Sequence, residues 1–280
     1  MAQRRRLDAE AATGLGDMLA RLLAPEGLNR SVYSADGPAA VATAIALARR
    51  HWRLAGRPDR HRILTPGQIG DGGAETAAAL LFRPSDAIDA DRLRAIRARH
   101  GTLLIADETV TGLGRTGTMV ACRHWALRPD LMALAAPLGI TAIGGRAAGA
   151  AQGDGRRGRL PACAQALEAI EAIVDGNLTG NAARQGALLL GVLARLAETA
   201  PLIGRVHGRG LLIGIDLVAD KAGGAPLAAN DPRCNAIITA CADHGLPVHL
   251  AASTLVLVPP LTLTADETAA IAQALRVILR

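Results

Sequence analysis

Lysine is almost absent from this chain: of 31 basic residues, only Lys221 carries a primary amine side chain. An imine with a carbonyl compound needs such an amine. The one candidate lies in an Asp220–Gly224 turn that reads as a solvated loop. Aromatic residues are nearly as scarce. Tyr33, Trp52, Phe82 and Trp125 are all there are, which leaves little with which to stack a base or a pyridine ring. The four cysteines, Cys122, Cys163, Cys234 and Cys241, show no C-x-x-C spacing and no neighbouring histidine cluster. They read as reduced, mostly buried thiols rather than as a disulfide framework or a zinc site, and no metal is expected. No apolar run approaches the length of a membrane helix. The basic start, Met1 to Arg6, leads into no hydrophobic signal region, so the expectation is a cytoplasmic protein with no membrane partner.

What is present is a chain of 280 residues, half of them apolar, enough to bury one large core or one large and one small. The formal charge of +6 comes mainly from arginines spread along amphipathic stretches such as Ala90–His100 and Ala182–Glu198. They read as solvated helix faces, so no nucleic-acid partner is expected. Helical spacing covers Asp8–Leu23 and Ala39–Arg53. Strand-like runs follow at Arg62–Thr65, Ala77–Phe82, Thr102–Ala106 and Leu131–Leu134, alternating with helices. That alternation predicts an α/β domain with a mostly parallel sheet. Beyond Gly158 the pattern changes to helices at Ala162–Val174, Thr179–Thr199, Asp231–His244 and Ala265–Leu279, with strands at Val206–Leu217 and Thr254–Val258. This predicts a smaller α+β domain. The expected division is an N-terminal helical segment over 1–27, a large domain over 28–158 and a small C-terminal domain over 159–280, with its boundary in the Gly- and Arg-rich stretch Gly153–Arg159.

The segment Leu103–Gly139, LLIADETVTGLGRTGTMVACRHWALRPDLMALAAPLG, resembles the core of class III, fold-type I, pyridoxal-phosphate aminotransferases. Three further stretches match in the same order: Val32–Ile63, Pro201–Leu217 (PLIGRVHGRGLLIGIDL) and Val258–Asp266 (VPPLTLTAD). The wording is nearest to diaminopelargonic acid aminotransferases. The resemblance implies a fold-type I architecture, an α/β large domain with a smaller α+β C-terminal domain, and a dimer.

The same resemblance implies a cofactor site, and position by position this chain departs from it. The Schiff-base lysine corresponds to Ala136, followed by Pro137. A Gly-Ser pair that holds the cofactor phosphate at a helix N-terminus corresponds to Gly37-Pro38, and proline has neither N–H nor hydroxyl. The stacking aromatic is replaced by Pro66–Gly73, the gating glutamate by Arg83, the glutamine on the phenolic oxygen by Val110, and a C-terminal arginine by Val256. The segment with the phosphate-binding threonine is shortened to Arg156–Pro161. Asp107, which in the family pairs with the pyridine nitrogen, is retained. The chain is also shortened before Val32, between Gly73 and Thr76, and between Ala136 and Pro161, whereas the apolar periodicity of its core elements is kept.

Asp107-Glu108, at the carboxyl end of a buried strand, suggests an acid/base pair of raised pKa, with Arg83 or Arg115 as charge stabiliser. The competing reading is that Asp107 hydrogen-bonds a loop or Arg115. Thr109, Val110, Ala136, Asp36 and Tyr33 would line the pocket, Asp36 serving also as a helix cap. Gly112–Gly117 is a glycine-rich turn and not a nucleotide loop. His51, His61, His124 and His207 read as solvated or structural. Two functions follow. One is a PLP-independent enzyme with no cofactor, acting on a largely hydrophobic, secondary-metabolite intermediate by acid/base-assisted rearrangement, cyclisation or dehydration. The other is a non-catalytic pseudoenzyme. The expected assembly is a homodimer, or a heterodimer with a full-length aminotransferase.

Overall fold

The computed structural model describes residues 2–68, 73–85, 87–136, 138–151, 160–228 and 230–279. The stretch 153–159, Ile69–Gly72 and Pro137, on which three of the expectations above fall, lie outside them. The chain divides into two compact units, residues 1–113 with 119–175, and residues 114–118 with 176–280.

The first unit opens with helix α1 (Ala2–Leu22) and strand β1 (Leu28–Ser34). Helix α2 (Gly37–Leu54) follows, then β2 (Arg62–Leu64), β3 (Ala77–Phe82), α3 (Ala90–His100), β4 (Leu103–Glu108), β5 (Leu131–Ala135), β6 (Gly139–Gly144) and α4 (Leu160–Asp175). Six strands form one sheet in the order β1-β6-β5-β4-β3-β2. β2, β3, β4 and β5 are mutually parallel, and β6 runs antiparallel to both β5 and β1. The mostly parallel α/β sheet read from the alternation of elements is therefore present. The antiparallel strand β6, GITAIG, was not among the runs expected from the sequence. β3 to β6 are buried nearly end to end, as strands covered on both faces are.

Helix α2 buries its Ala40, Ala44, Leu47 and Ala48 positions, the last three in one cluster with Leu103, Ile105, Leu131 and Ile143 of the sheet. The i, i+4, i+7, i+8 spacing is one helical stripe. Val41 and Ile45, larger and more apolar, stay half-buried at its flank. The alanines win the central positions because a methyl lets the helix backbone lie close on the sheet. Trp52, one of the few aromatics, serves the structure, with the buried Arg60 guanidinium 3.7 Å from its ring centroid. The same guanidinium donates to the carbonyls of Ala77 and His100 and to the Thr102 hydroxyl. Asp130, also buried, ties α3 to β4 and β5 by accepting from Arg97 at 2.8 Å and from the Leu104 N–H at 2.9 Å.

The second unit contains α5 (Leu178–Thr199), β7 (Ile203–Arg209), β8 (Leu212–Leu217), α6 (Pro232–Asp243), β9 (Val248–Ala251), β10 (Thr254–Leu257) and α7 (Ala265–Ile278). Its sheet is antiparallel, in the order β7-β8-β10-β9. The single strand expected over Val206–Leu217 is thus a hairpin, with Gly210 at φ 53° in its turn. Ile213, Ile215, Leu217, Leu255 and Leu257 face a core closed by Leu189, Leu193, Ile271 and Leu275. Helix α7 starts on a reciprocal capping box between Thr264 and Glu267. Among the described residues no helix is long and apolar enough to cross a membrane.

Candidate active site

The carboxyl ends of parallel strands are where α/β sheets present ligand-binding groups. Here β4 ends in Asp107-Glu108, beside the end of β3, because Phe82 pairs with Ala106. Arg83 therefore emerges next to Asp107. Its Nη2 lies 2.6 Å from Asp107 Oδ2. The other carboxylate oxygen accepts from the Thr109 hydroxyl at 2.6 Å and the Thr109 N–H at 3.2 Å. The Asp107 side chain is 13% exposed and that of Arg83 59%. Burial works to raise the Asp107 carboxyl, but the hydrogen bonds from Thr109 and Arg83 and the guanidinium charge outweigh it and hold the group below the ordinary aspartate value.

Glu108 behaves in the opposite way. Successive strand residues point to opposite faces, and its carboxylate turns into the protein. There it accepts from the Thr111 hydroxyl at 2.9 Å, the Ala121 N–H at 2.8 Å and the Cys122 N–H at 2.7 Å. Burial pushes its carboxyl above the usual glutamate value against the pull of those donors. The Cys122 thiol beside it is raised further, by burial and by the Glu108 charge. The expected acid/base pair of raised pKa is therefore corrected for Asp107, which is lowered, whereas Glu108 is raised, and the two occupy different faces of the strand.

The start of α2 closes the other side of this strand end. Asp36 is its N-cap, with Oδ1 accepting from the Ala39 N–H at 2.8 Å, as expected of a cap. Pro38 occupies the first turn. Gly37 lies so near the β4 and β5 ends that a Cβ there would be 3.2 Å from both the Thr109 Cγ2 and the Ala135 Cβ. Asp36, Thr109, Asp107 and Arg83 thus share one rim with Ala136, whose N–H donates to the Leu138 carbonyl at 2.9 Å. Val110, on the same rim, is 46% exposed.

Two of the expected site residues are placed elsewhere. Tyr33 is buried against α1, where its hydroxyl donates to the Ala12 carbonyl and accepts from Ser31. Arg115 falls in the second unit, where its guanidinium donates to the Pro259 carbonyl; Asp107 takes Arg83 and Thr109 instead. Lys221 is not the free loop residue expected, since its Nζ donates to the carbonyls of Ala197 and Ala200 at the end of α5. His207 also departs from its solvated reading, with Nε2 3.1 Å from Asp216 Oδ1 and Thr254 donating to the same oxygen at 2.6 Å. Its cross-strand partner was not legible without the hairpin register. Among the described residues no group of three or more histidine, cysteine, aspartate or glutamate side chains is arranged to hold a metal.

The family model for class-III aminotransferases matches residues 82–279. Among curated proteins, an uncharacterized aminotransferase of Bacillus subtilis, YhxA, is 34% identical over 200 residues, covering 63% of this chain and 44% of that protein. Acetylornithine aminotransferase 1 of Bordetella pertussis is 35% identical over 210 residues, 71% of this chain and 48% of that protein. The chain thus spans about half the length of the curated relatives it matches. Among solved structures, an amine transaminase from an uncultivated Pseudomonas species, in its PLP-bound internal aldimine form, superposes with a TM-score of 0.86 at 30% identity. That match covers 96% of this chain and 80% of the other.

Proposed function

This chain belongs to the class-III aminotransferase family, and from that premise we propose that it is a non-transaminating member that acts on a small molecule without pyridoxal phosphate, through the rim at the end of β4. The observation that carries this reading is the Arg83–Asp107 ion pair at 2.6 Å. The one carboxylate retained for a cofactor's ring nitrogen already has a cation. The residues present do not fit a lysine-held pyridoxal phosphate on three further counts. Position 136 offers a methyl, the α2 terminus is capped by the chain's own carboxylate, and Pro38 has no N–H to give a phosphate.

In this reading Asp107 is the general base. Held ionised by Arg83 and Thr109, it is ready at neutral pH to accept a proton from a substrate C–H or O–H. Thr109 fixes the orientation of the carboxylate. Arg83, with most of its side chain in solvent, has N–H donors left to hold a developing oxyanion. The exposed Val110 and the methyl of Ala136 give the rim an apolar side, which favours a largely hydrophobic substrate able to rearrange, cyclise or dehydrate after proton removal. Glu108 is a positioning residue that holds Thr111, Ala121 and Cys122 behind the strand.

One observation favours a second reading, a non-catalytic partner of a full-length aminotransferase. Every Asp107 and Glu108 oxygen already accepts from within the chain, as carboxylates that only maintain a fold do. Incubating a cell extract with wild type and with Asp107→Asn, followed by untargeted mass spectrometry, separates the two. Features consumed by wild type and spared by the variant carry the enzyme reading. Identical profiles from both proteins sink it in favour of the partner.

A further inference from the structure

Away from that rim, α2 borders two cavities of about 530 and 360 Å³, the larger where it meets β1, within the size range of small-molecule sites. The larger is lined by Val32, Tyr33, Leu47 and the hydroxyl-bearing Thr43, together with Arg50 and Arg53. The smaller lies between Arg49, Arg53, Pro58 and His61. Ala46 and Arg53 line both, so the two hollows share one wall.

Among the described residues no carboxylate lines either cavity. The one in the adjoining turn, Asp59, is taken by Arg57 at 2.9 Å. Arg49 is held in place by its Nε, which donates to the His61 carbonyl at 2.9 Å, leaving its terminal nitrogens for another acceptor. His61 is oriented in turn by Nδ1, which donates to the Asp59 carbonyl at 2.8 Å. Arg53 makes no hydrogen bond or ion pair among the described residues, and its side chain is exposed. Arg49 and Arg53 thus leave two sets of guanidinium donors along one wall, which match a dianion better than a monocarboxylate. Guanidinium forks suit phosphate oxygens in geometry as well as in charge.

We propose that this groove along α2 is a binding site for a phosphate-bearing small molecule, its phosphate held by Arg49 and Arg53 and its apolar or aromatic body seated on Val32, Tyr33 and Leu47. The site is independent of the β4 rim, and either can fail without the other. Isothermal titration with 1-naphthyl phosphate, inorganic phosphate and 1-naphthol tests it. The naphthyl phosphate is expected to bind at least about tenfold more tightly than either half alone, and to weaken as salt rises. Arg53→Ala and Arg49→Ala should each weaken it by about tenfold, the effect of one charge-assisted hydrogen bond. Ala46→Glu, which adds a carboxylate to the shared wall at an exposed position, should abolish it. Arg99→Ala, an equal loss of charge on α3, should leave the affinity unchanged. Wild-type affinity in Arg53→Ala, equal weakening by Arg99→Ala, or equal affinity for inorganic and naphthyl phosphate overturns the proposal.

Discussion

A Cβ placed on Gly139 would lie 1.8 Å from the carbonyl oxygen of Asp36, so the first residue of β6 and the cap of α2 meet backbone to backbone. The contact ties the start of β6 to the start of the helix. Gly139→Ala must push the two apart, and overpacking of this kind costs about 3 kcal/mol. A chemical denaturation midpoint within error of wild type would show that the two backbones can separate without loss.

Asp36 supports the same junction from the helix side. Its Oδ1 satisfies the Ala39 N–H, and removing the cap in Asp36→Ala should cost about 1 kcal/mol. Asp36→Ser, which keeps an acceptor oxygen, should recover most of that loss. If serine and alanine are equally destabilised in a thermal melt, the side chain is not acting as a cap.

The Asp107 carboxyl sits below its ordinary value when folded. The native state therefore binds this proton more weakly than the unfolded chain. The stability it contributes is present above the unfolded value of about 3.9 and is lost as pH falls through the lower folded value. Wild type should lose stability in that acid window, and Asp107→Asn should lose less there, although it starts lower at neutral pH. Parallel stability-against-pH curves for the two proteins would remove Asp107 as the source of the slope.

Much of this arrangement was legible in residue order, and the part that was not has a physical reason. The apolar runs at Ala77–Phe82 and Leu131–Leu134 and the helix at Ala90–His100 are where periodicity and breakers put them, because local pattern and tertiary burial agree there. The charge pairings were legible only in part, Arg83 being one of two arginines set against Asp107 in the residue order. Arg83 and Asp107 are 24 residues apart and meet only through the β3–β4 register; His207 and Asp216 meet through the hairpin. That Asp107 and Glu108 face apart follows from strand alternation. It required knowing that β4 runs to Glu108 rather than ending at Ala106.

Glu108 makes a different prediction. Its carboxylate accepts from two buried backbone N–H groups and a hydroxyl, so Glu108→Ala strands those donors and should cost about 3 kcal/mol. Glu108→Gln keeps one acceptor and should cost less. Its folded value is raised, so the sign is the reverse of Asp107: the glutamate stabilises most below its unfolded value and less as pH rises through the folded one. The gap between wild type and Glu108→Gln should therefore narrow with rising pH, and a gap that widens would contradict the burial of this charge.

The last prediction concerns restoring an amine at position 136. Ala136→Lys puts a primary amine after β5, at a half-buried position beside Ala135, and from sequence alone that would look like a repair. The structure argues against it on grounds that do not involve the amine. The α2 terminus stays capped by Asp36, with Pro38 in its first turn, so a phosphate arriving there meets a carboxylate of its own sign and one backbone donor fewer. Asp107 stays paired with Arg83, so a ring nitrogen must displace a guanidinium at 2.6 Å to reach it. Ala136→Lys is therefore expected to give no amino transfer and no saturable, borohydride-sensitive adduct with pyridoxal phosphate mapping to position 136. Adding Asp36→Gly, Pro38→Ser and Arg83→Glu to that variant frees the helix end and the carboxylate together, and the combination should bind the cofactor more tightly than Ala136→Lys alone. Transamination by the single variant would show that neither the cap nor the ion pair excludes the cofactor, and the PLP-independent reading would fall with them.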